Sequence, residues 1–143
     1  MRLVEAGADE RPRIERLLQD SDLPTDGLDA SPVRLFAGYD DGQFVGVGGL
    51  ERYGPDALLR SVAVLDALRG NGYGTAIYRE IEARAGEDGV ERLYLLTETA
   101  APFFAEVGFE AVDRDEAPDP IRDTAEFREL CSSEATCMRK VVG

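Results

Sequence analysis

Apolar and polar positions along the chain alternate in short runs, broken by glycine- and proline-bearing turns, and in places the period lengthens to that of a helix. Met1 to Glu5 opens as a short strand. Ile14, Leu17 and Leu18 then recur at helical spacing, with Asp9 placed to cap the segment. Pro12 falls in the first turn, where its missing N–H has no helical partner to lose. Ser21 to Ala30, with Pro24 and Gly27, reads as loop or a loose second helix. Val33 to Tyr39 and Gln43 to Tyr53 read as strands, joined across Asp40-Asp41-Gly42, a hairpin signal. Gly46, Gly48 and Gly49 weaken the second of these but permit close backbone approach. Tyr53-Gly54-Pro55-Asp56 turns the chain into an apolar strand from Ala57 to Val64. The pattern next predicts a helix from about Gly72 to Ala85, a strand from Glu91 to Thr97 and a short helix over Pro102 to Val107. A strand opening at Phe109, a helix over Pro118 to Leu130 and a final strand over Thr136 to Val142 complete an α/β order in one domain spanning residues 1–143.

The junction after Val64 carries the chemistry. Arg69-Gly70-Asn71-Gly72-Tyr73-Gly74-Thr75 links a strand to a helix, so glycine N–H groups and the unpaired N–H groups of a helix N-terminus converge there. An anion, most often a phosphate, suits such a place. No Gly-Lys-Ser/Thr follows at the P-loop spacing, and the glycines stand one short of the dinucleotide-binding Gly-x-Gly-x-x-Gly. What fits is Arg69-x-x-Gly72-x-Gly74. This resembles the pyrophosphate-binding loop of the GNAT superfamily of acetyl-CoA-dependent N-acetyltransferases. Downstream, Ala101-Pro102-Phe103-Phe104-Ala105-Glu106-Val107-Gly108-Phe109 looks like that superfamily's second CoA-contacting segment.

The resemblance implies a mixed, mostly antiparallel twisted sheet of about seven strands, splayed at the CoA site and flanked by helices. It implies acetyl-CoA as donor, with Arg69, Gly70, Asn71, Gly72, Tyr73, Gly74 and Thr75 on the pyrophosphate. Val62, Ala63 and Val64 would pair with the pantetheine arm like an added strand, and Phe103 and Phe104 would contact it. The closing block Ile121-Arg122-x-Thr124-x-Glu126-Phe127-Arg128-x-Leu130-Cys131, continuing to Cys137-Met138, resembles the arsenic-resistance N-acetyltransferases. That finer likeness implies a small acceptor amine, an acidic amino acid bearing arsenic or phosphorus. Dimers are common among such relatives.

Composition narrows the partners. With 29 acidic and 16 basic residues the net charge is −13, spread along the chain, and lysine occurs once, at Lys140. Nucleic acids and anionic membranes need a basic surface, so neither is an expected partner. Such a surface suits a high-salt host, where screening shrinks self-repulsion, or an ordinary acidic cytosolic protein. No leading charged-then-apolar segment and no run of membrane-spanning length is present, so a cytoplasmic location is expected.

Acetyl transfer to an amine needs a proton acceptor, and the sequence contains no histidine. Glu51, at the end of a strand near the expected amine site, is the first candidate. Its bland alternative is a solvated strand-end acid, and Glu98 is the runner-up. Many relatives carry tyrosine where Phe104 stands, to protonate the departing thiolate. Here Tyr94 or Thr97 would have to serve, or the thiolate leaves unassisted at its ordinary pKa of about 8.5. Strand alternation puts Arg60 and Val62 on one sheet face. Arg60 in an apolar strand is then either half of a structural ion pair or a clamp on an acidic substrate group. Cys131 and Cys137 suit either terminal packing or a soft thiophilic ion, and no metal is expected. A non-catalytic CoA-binding sensor and a protein N-terminal acetyltransferase stay open as alternatives.

Overall fold

The computed structural model describes residues 1–25, 28, 33–130 and 134–143. Its strands are β1 (Arg2–Glu5), β2 (Val33–Asp40), β3 (Gln43–Tyr53), β4 (Asp56–Val64), β5 (Arg92–Thr97), β6 (Glu110–Val112) and β7 (Thr136–Val141). Its helices are α1 (Arg11–Asp20), α2 (Tyr73–Glu87), α3 (Ala101–Glu106), α4 (Asp119–Arg122) and α5 (Ala125–Glu129). The strands form one seven-stranded sheet in the order β1-β2-β3-β4-β5-β7-β6. Every neighbouring pair is antiparallel except β4 and β5. That one parallel step is the crossover that needs α2, as parallel neighbours require.

Strand alternation divides the core into two layers. On one face Phe36, Leu59, Leu93 and Leu95 pack against Ile77, Tyr78 and Ile81 of α2 and Phe104 of α3. On the other, Leu35 and Val47 meet Ile14, Leu17 and Leu18 of α1. Farther along that face Leu58, Tyr94 and Leu96 meet Ile121 of α4 and Phe127 of α5. The expected close approach occurs under α2. A Cβ on Gly48 would stand 2.3 Å from Ile81 Cδ1, and one on Gly46 only 2.5 Å from the Ala63 carbonyl oxygen.

Three sequence expectations need correction. Helix α1 is capped at Glu10 rather than Asp9, and the Glu10 carboxylate accepts from the Gly7 N–H at 3.0 Å and from the Tyr39 hydroxyl. The helix expected over Pro118 to Leu130 is two helices. Thr124 breaks it with extended backbone, its hydroxyl donating to Ile121 O at 2.7 Å and accepting from Phe127 N at 3.3 Å. Of the two readings of Ser21 to Ala30, residues 21–25 and 28 follow the loop, and residues 26, 27, 29 and 30 lie outside the described residues. Finally, Arg60 and Val62 lie on opposite faces. Val47 pairs with Ala63 and Gly49 with Arg60, so Gly48 alone opposes Ser61 and Val62. This is a β-bulge, and its extra residue, Ser61, takes φ 60°. Val62 thereby turns to the α2 face while Arg60 keeps the face of Leu58.

Candidate active site

Strands β4 and β5 stay paired for three residues only, from Asp56 opposite Arg92 to Leu58 opposite Tyr94. Beyond Leu58 they part. β4 remains bonded to β3 and β5 to β7, so the sheet opens as a wedge between two intact halves. The resulting cleft of about 860 Å³ is lined by Leu59 to Val64 of β4 and Leu95 to Thr99 at the end of β5. The β4 edge facing it has no ladder partner among the described residues, leaving backbone donors and acceptors for an extended ligand arm.

The mouth is built by the glycine loop. Gly70 and Gly72 adopt φ of +83° and +82°, conformations that glycine enters without steric cost. A Cβ on Gly72 would meet no atom within 4 Å, so its backbone stands bare at the opening. Gly72 is the N-cap of α2, and the first helical bond runs from Ala76 N to Gly72 O at 3.1 Å. The N–H groups of Tyr73, Gly74 and Thr75 therefore precede the helical ladder, at the positive end of the helix dipole. Arg69 lines the mouth, but its guanidinium sits 3.2 Å from Asp66 and Nε donates to Val64 O at 3.4 Å. Its charge is thus partly answered before any ligand arrives.

Most of the residues expected to hold the donor border this cleft: Val62, Ala63, Val64, Arg69, Gly70, Gly72, Tyr73, Gly74, Thr75, Phe103 and Phe104. Asn71 does not. Its amide instead ties the loop together, donating to Leu68 O at 2.9 Å and more weakly to Arg69 O. Phe103 packs beside Gly74, while Phe104 is buried edge-on to both Phe103 and Phe109. The Tyr73 hydroxyl turns away to Asp40, at 2.6 Å.

The inner end of the cleft holds a buried ionic group that the sequence foresaw only in part. Arg60, 3 % exposed, donates from Nη1 to Glu51 Oε2 at 2.9 Å, from Nε to Ser61 Oγ at 3.1 Å and from Nη2 to Pro24 O at 3.5 Å. The other Glu51 oxygen accepts from the Tyr53 hydroxyl at 2.6 Å. Burial is the chief cause holding the Tyr53 phenol well above its usual range, with the Glu51 bond adding to it. Glu51 and Arg60 are thus neighbours, as expected. Both Glu51 oxygens are engaged and its side chain stands behind Arg60, off the cleft lining. Glu51 is thus held by Arg60 and Tyr53, while Arg60, ion-paired to Glu51, also borders the cleft.

Of the other candidates, Glu98 lies exposed at the lining and Thr97 lines it with its hydroxyl accepting from Ala100 N at 2.9 Å. Tyr94 does not reach the cleft; it is buried against Leu58 and Phe127 on the face away from α2. Cys137 is buried, and burial pushes its thiol up to about 11, which disfavours the thiolate a soft ion would need. Cys131 lies outside the described residues. Among those described, no cluster of three or more metal-ligating side chains occurs. Among the lining residues to which the sequence assigned no role is an acid, Glu126 of α5. It sits inside the closing block, one acid among 29, and what distinguishes it is burial together with an oxygen, Oε2, that has no hydrogen-bond partner among the described residues.

Residues 4–109 match the model of the acetyltransferase (GNAT) family. The chain belongs to that family. No curated protein matches the sequence. Among solved structures, N-acetylglutamate synthase from Neisseria gonorrhoeae, complexed with coenzyme A and N-acetyl-glutamate, superposes with a TM-score of 0.81 at 20% identity. That match covers 99% of this chain and 35% of the synthase, so the chain spans about a third of that enzyme's length. Rv2747 from Mycobacterium tuberculosis, in complex with CoA and NLQ, gives 0.80 at 20% identity over 99% of both chains. The ribosomal-protein-S18-alanine N-acetyltransferase from Escherichia coli gives 0.76 at 14%, covering 99% of this chain and 94% of that one. At such identities these matches establish the fold: a mixed α/β sheet, mostly antiparallel, flanked by helices.

The GNAT donor is acetyl-CoA, and the cleft fits it. Bare N–H groups at a helix N-terminus suit a pyrophosphate, and the open β4 edge suits a pantetheine amide chain, which hydrogen-bonds as a peptide does.

Proposed function

We propose that this domain transfers the acetyl group of acetyl-CoA to the primary amine of a small acceptor. The observation that carries the reading is the wedge between β4 and β5, open beyond Leu58 and floored at its mouth by the N-terminus of α2. Acetyl-CoA supplies the activated acyl group as a thioester. The chain's contribution is to bind and orient. The N–H groups of residues 73–75 receive the phosphates, and the unpaired β4 edge aligns the arm so that the reacting end lies inward near Ser61 and Thr97. An unpaired β4 N–H is the natural donor to the developing oxyanion, since fixed dipoles in a water-poor site stabilise charge at little reorganisation cost. Phe104 has no proton to give, so the sulfur leaves unassisted or with a proton from the amine itself.

The finer expectation, an arsenic- or phosphorus-bearing acidic amino acid, rested on the closing block and on Arg60 as a clamp. With Arg60 committed to Glu51, Ser61 and Pro24, the clamp loses its support and the proposal keeps only the amine. Release of free thiol from acetyl-CoA, measured against amino acids, diamines, aminoglycosides and short peptides, tests the reading. Acceptor-dependent release with a small amine is the expected result. Acetyl-CoA binding with no release for any acceptor would overturn it in favour of a sensor.

A further inference from the structure

This inference rests on the acetyl-transfer reading and concerns the group that handles the amine's proton. Glu126, in the first turn of α5, borders the inner cleft and is 3 % exposed. Its Oε2 has no hydrogen-bond partner among the described residues. A buried carboxyl oxygen without a partner is costly and calls for an explanation. The charged groups facing it are Arg60 from β4, Glu51 from β3 and Glu129 from its own helix. Arg60 is already answered by Glu51 at 2.9 Å, so Glu126 is the carboxyl left over in this group.

We infer that Glu126 takes the proton from the acceptor, and that the acceptor is a cationic primary amine with no acidic group beside its reacting nitrogen. Burial pushes the Glu126 carboxyl up to about 8, with Arg60 pulling the other way and Glu51 and Glu129 adding to the rise. A carboxyl held near the working pH is a better base toward an ammonium than an ordinary glutamate. Oε2 takes one proton and leaves the electron pair on nitrogen. That pair forms the bond to the acyl carbon while the carbon–sulfur bond breaks and its pair departs with sulfur. The second nitrogen proton passes to sulfur, giving amide and free thiol, and Glu126 returns its proton to solvent.

The acceptor's charge follows from the lining. Asp22, Glu98 and Glu126 stand against Arg60 and Arg69, and both arginines are paired, to Glu51 and Asp66. A second acid on the acceptor would meet the acids Asp22 and Glu98 with both arginines already paired, whereas a cation is drawn in by a protein of charge −13.

The test uses the full chain, acetyl-CoA, and two probes: a simple alkyl diamine and a dicarboxylic amino acid. The diamine should be the better acceptor by about 100-fold or more in kcat/KM. Glu126→Gln should lower kcat about 100-fold near pH 8, the lower end of general-base effects, with acetyl-CoA affinity within twofold of the parent. That deficit should close as pH approaches the amine's own pKa, and Glu126→Asp should recover part of it. Unchanged kcat and pH profile in Glu126→Gln, or preference for the dicarboxylic acceptor, overturns the inference while leaving acetyl transfer intact. If the parent protein acetylates no amine, both readings fall. Should the variant not fold, infrared titration of the parent decides. The protonated-carboxyl band should persist to about pH 8 and vanish when the diamine binds; its loss near pH 4.5 would refute the assignment.

Discussion

Removing half of the Arg60–Glu51 pair should cost the fold more than any exposed substitution. The two charges lie 2.9 Å apart, with 0% of the Arg60 side chain and 5% of the Glu51 side chain exposed. At an effective dielectric near 20 their attraction is about 6 kcal/mol, most of which offsets the desolvation of both groups. Deleting one partner strands the other, a loss of about 3–5 kcal/mol. Glu51→Gln retains an acceptor for Arg60 or Tyr53 and belongs at the lower end, about 3 kcal/mol. Unfolding entropy of about 2.1 cal/mol/K per residue over 143 residues gives about 0.3 kcal/mol/K. The melting temperature should therefore fall by about 10 °C in Glu51→Gln, followed by circular dichroism. The double variant Glu51→Leu with Arg60→Met should recover most of that loss, because neither charge is then stranded. A second readout separates positioning from catalysis. Glu51 raises the Glu126 carboxyl, so its loss should move the acidic limb of the pH–rate profile to lower pH without abolishing turnover. A melting temperature within 2 °C of the parent, or strictly additive losses in the double variant, would refute the view of this pair as a buried structural unit.

Gly72 and Gly54 both adopt positive φ with open space around a would-be Cβ, yet only Gly72 borders the cleft. Alanine at either should cost about 1–2 kcal/mol in stability, while only Gly72→Ala should weaken acetyl-CoA binding, by tenfold or more in calorimetry. Because the folded Glu126 carboxyl is raised from 4.5 to about 8, the folded state holds a proton that the unfolded state releases across that window. Stability should consequently fall as pH rises from 4.5 to 8 and level off above it, and denaturant titrations of Glu126→Gln should lack that component of the slope. In a Cys131→Ser variant the remaining thiol, Cys137, should react with a disulfide reagent about 100-fold more slowly folded than unfolded, as its burial and raised pKa require. Added KCl should leave acetyl-CoA affinity unchanged or tighten it, since screening weakens repulsion between a −13 protein and a polyanion faster than it weakens short N–H contacts.

What the sequence determined by itself are the features written in local spacing. The period-2 runs set the strands to within a residue or two, and Asp40-Asp41-Gly42 set the first hairpin. The glycines at 70 and 72 set a bare loop before α2, because only glycine enters that backbone region without cost. Periodicity assumes one residue per step, and it failed where Ser61 adds one, reversing the faces expected of Arg60 and Val62. Propensity could not foresee Thr124, whose hydroxyl serves two backbone partners and splits one expected helix in two. The inner site was least legible. Glu51 and Glu126 are two of 29 acidic residues, and nothing adjacent to either marks which one is held by Arg60 and which faces the cleft. That difference arises only when β3, β4 and α5 converge from positions as far apart in the chain as 51, 60 and 126. Charge state and hydrogen-bond partners depend on distance through space, which spacing along the chain does not encode.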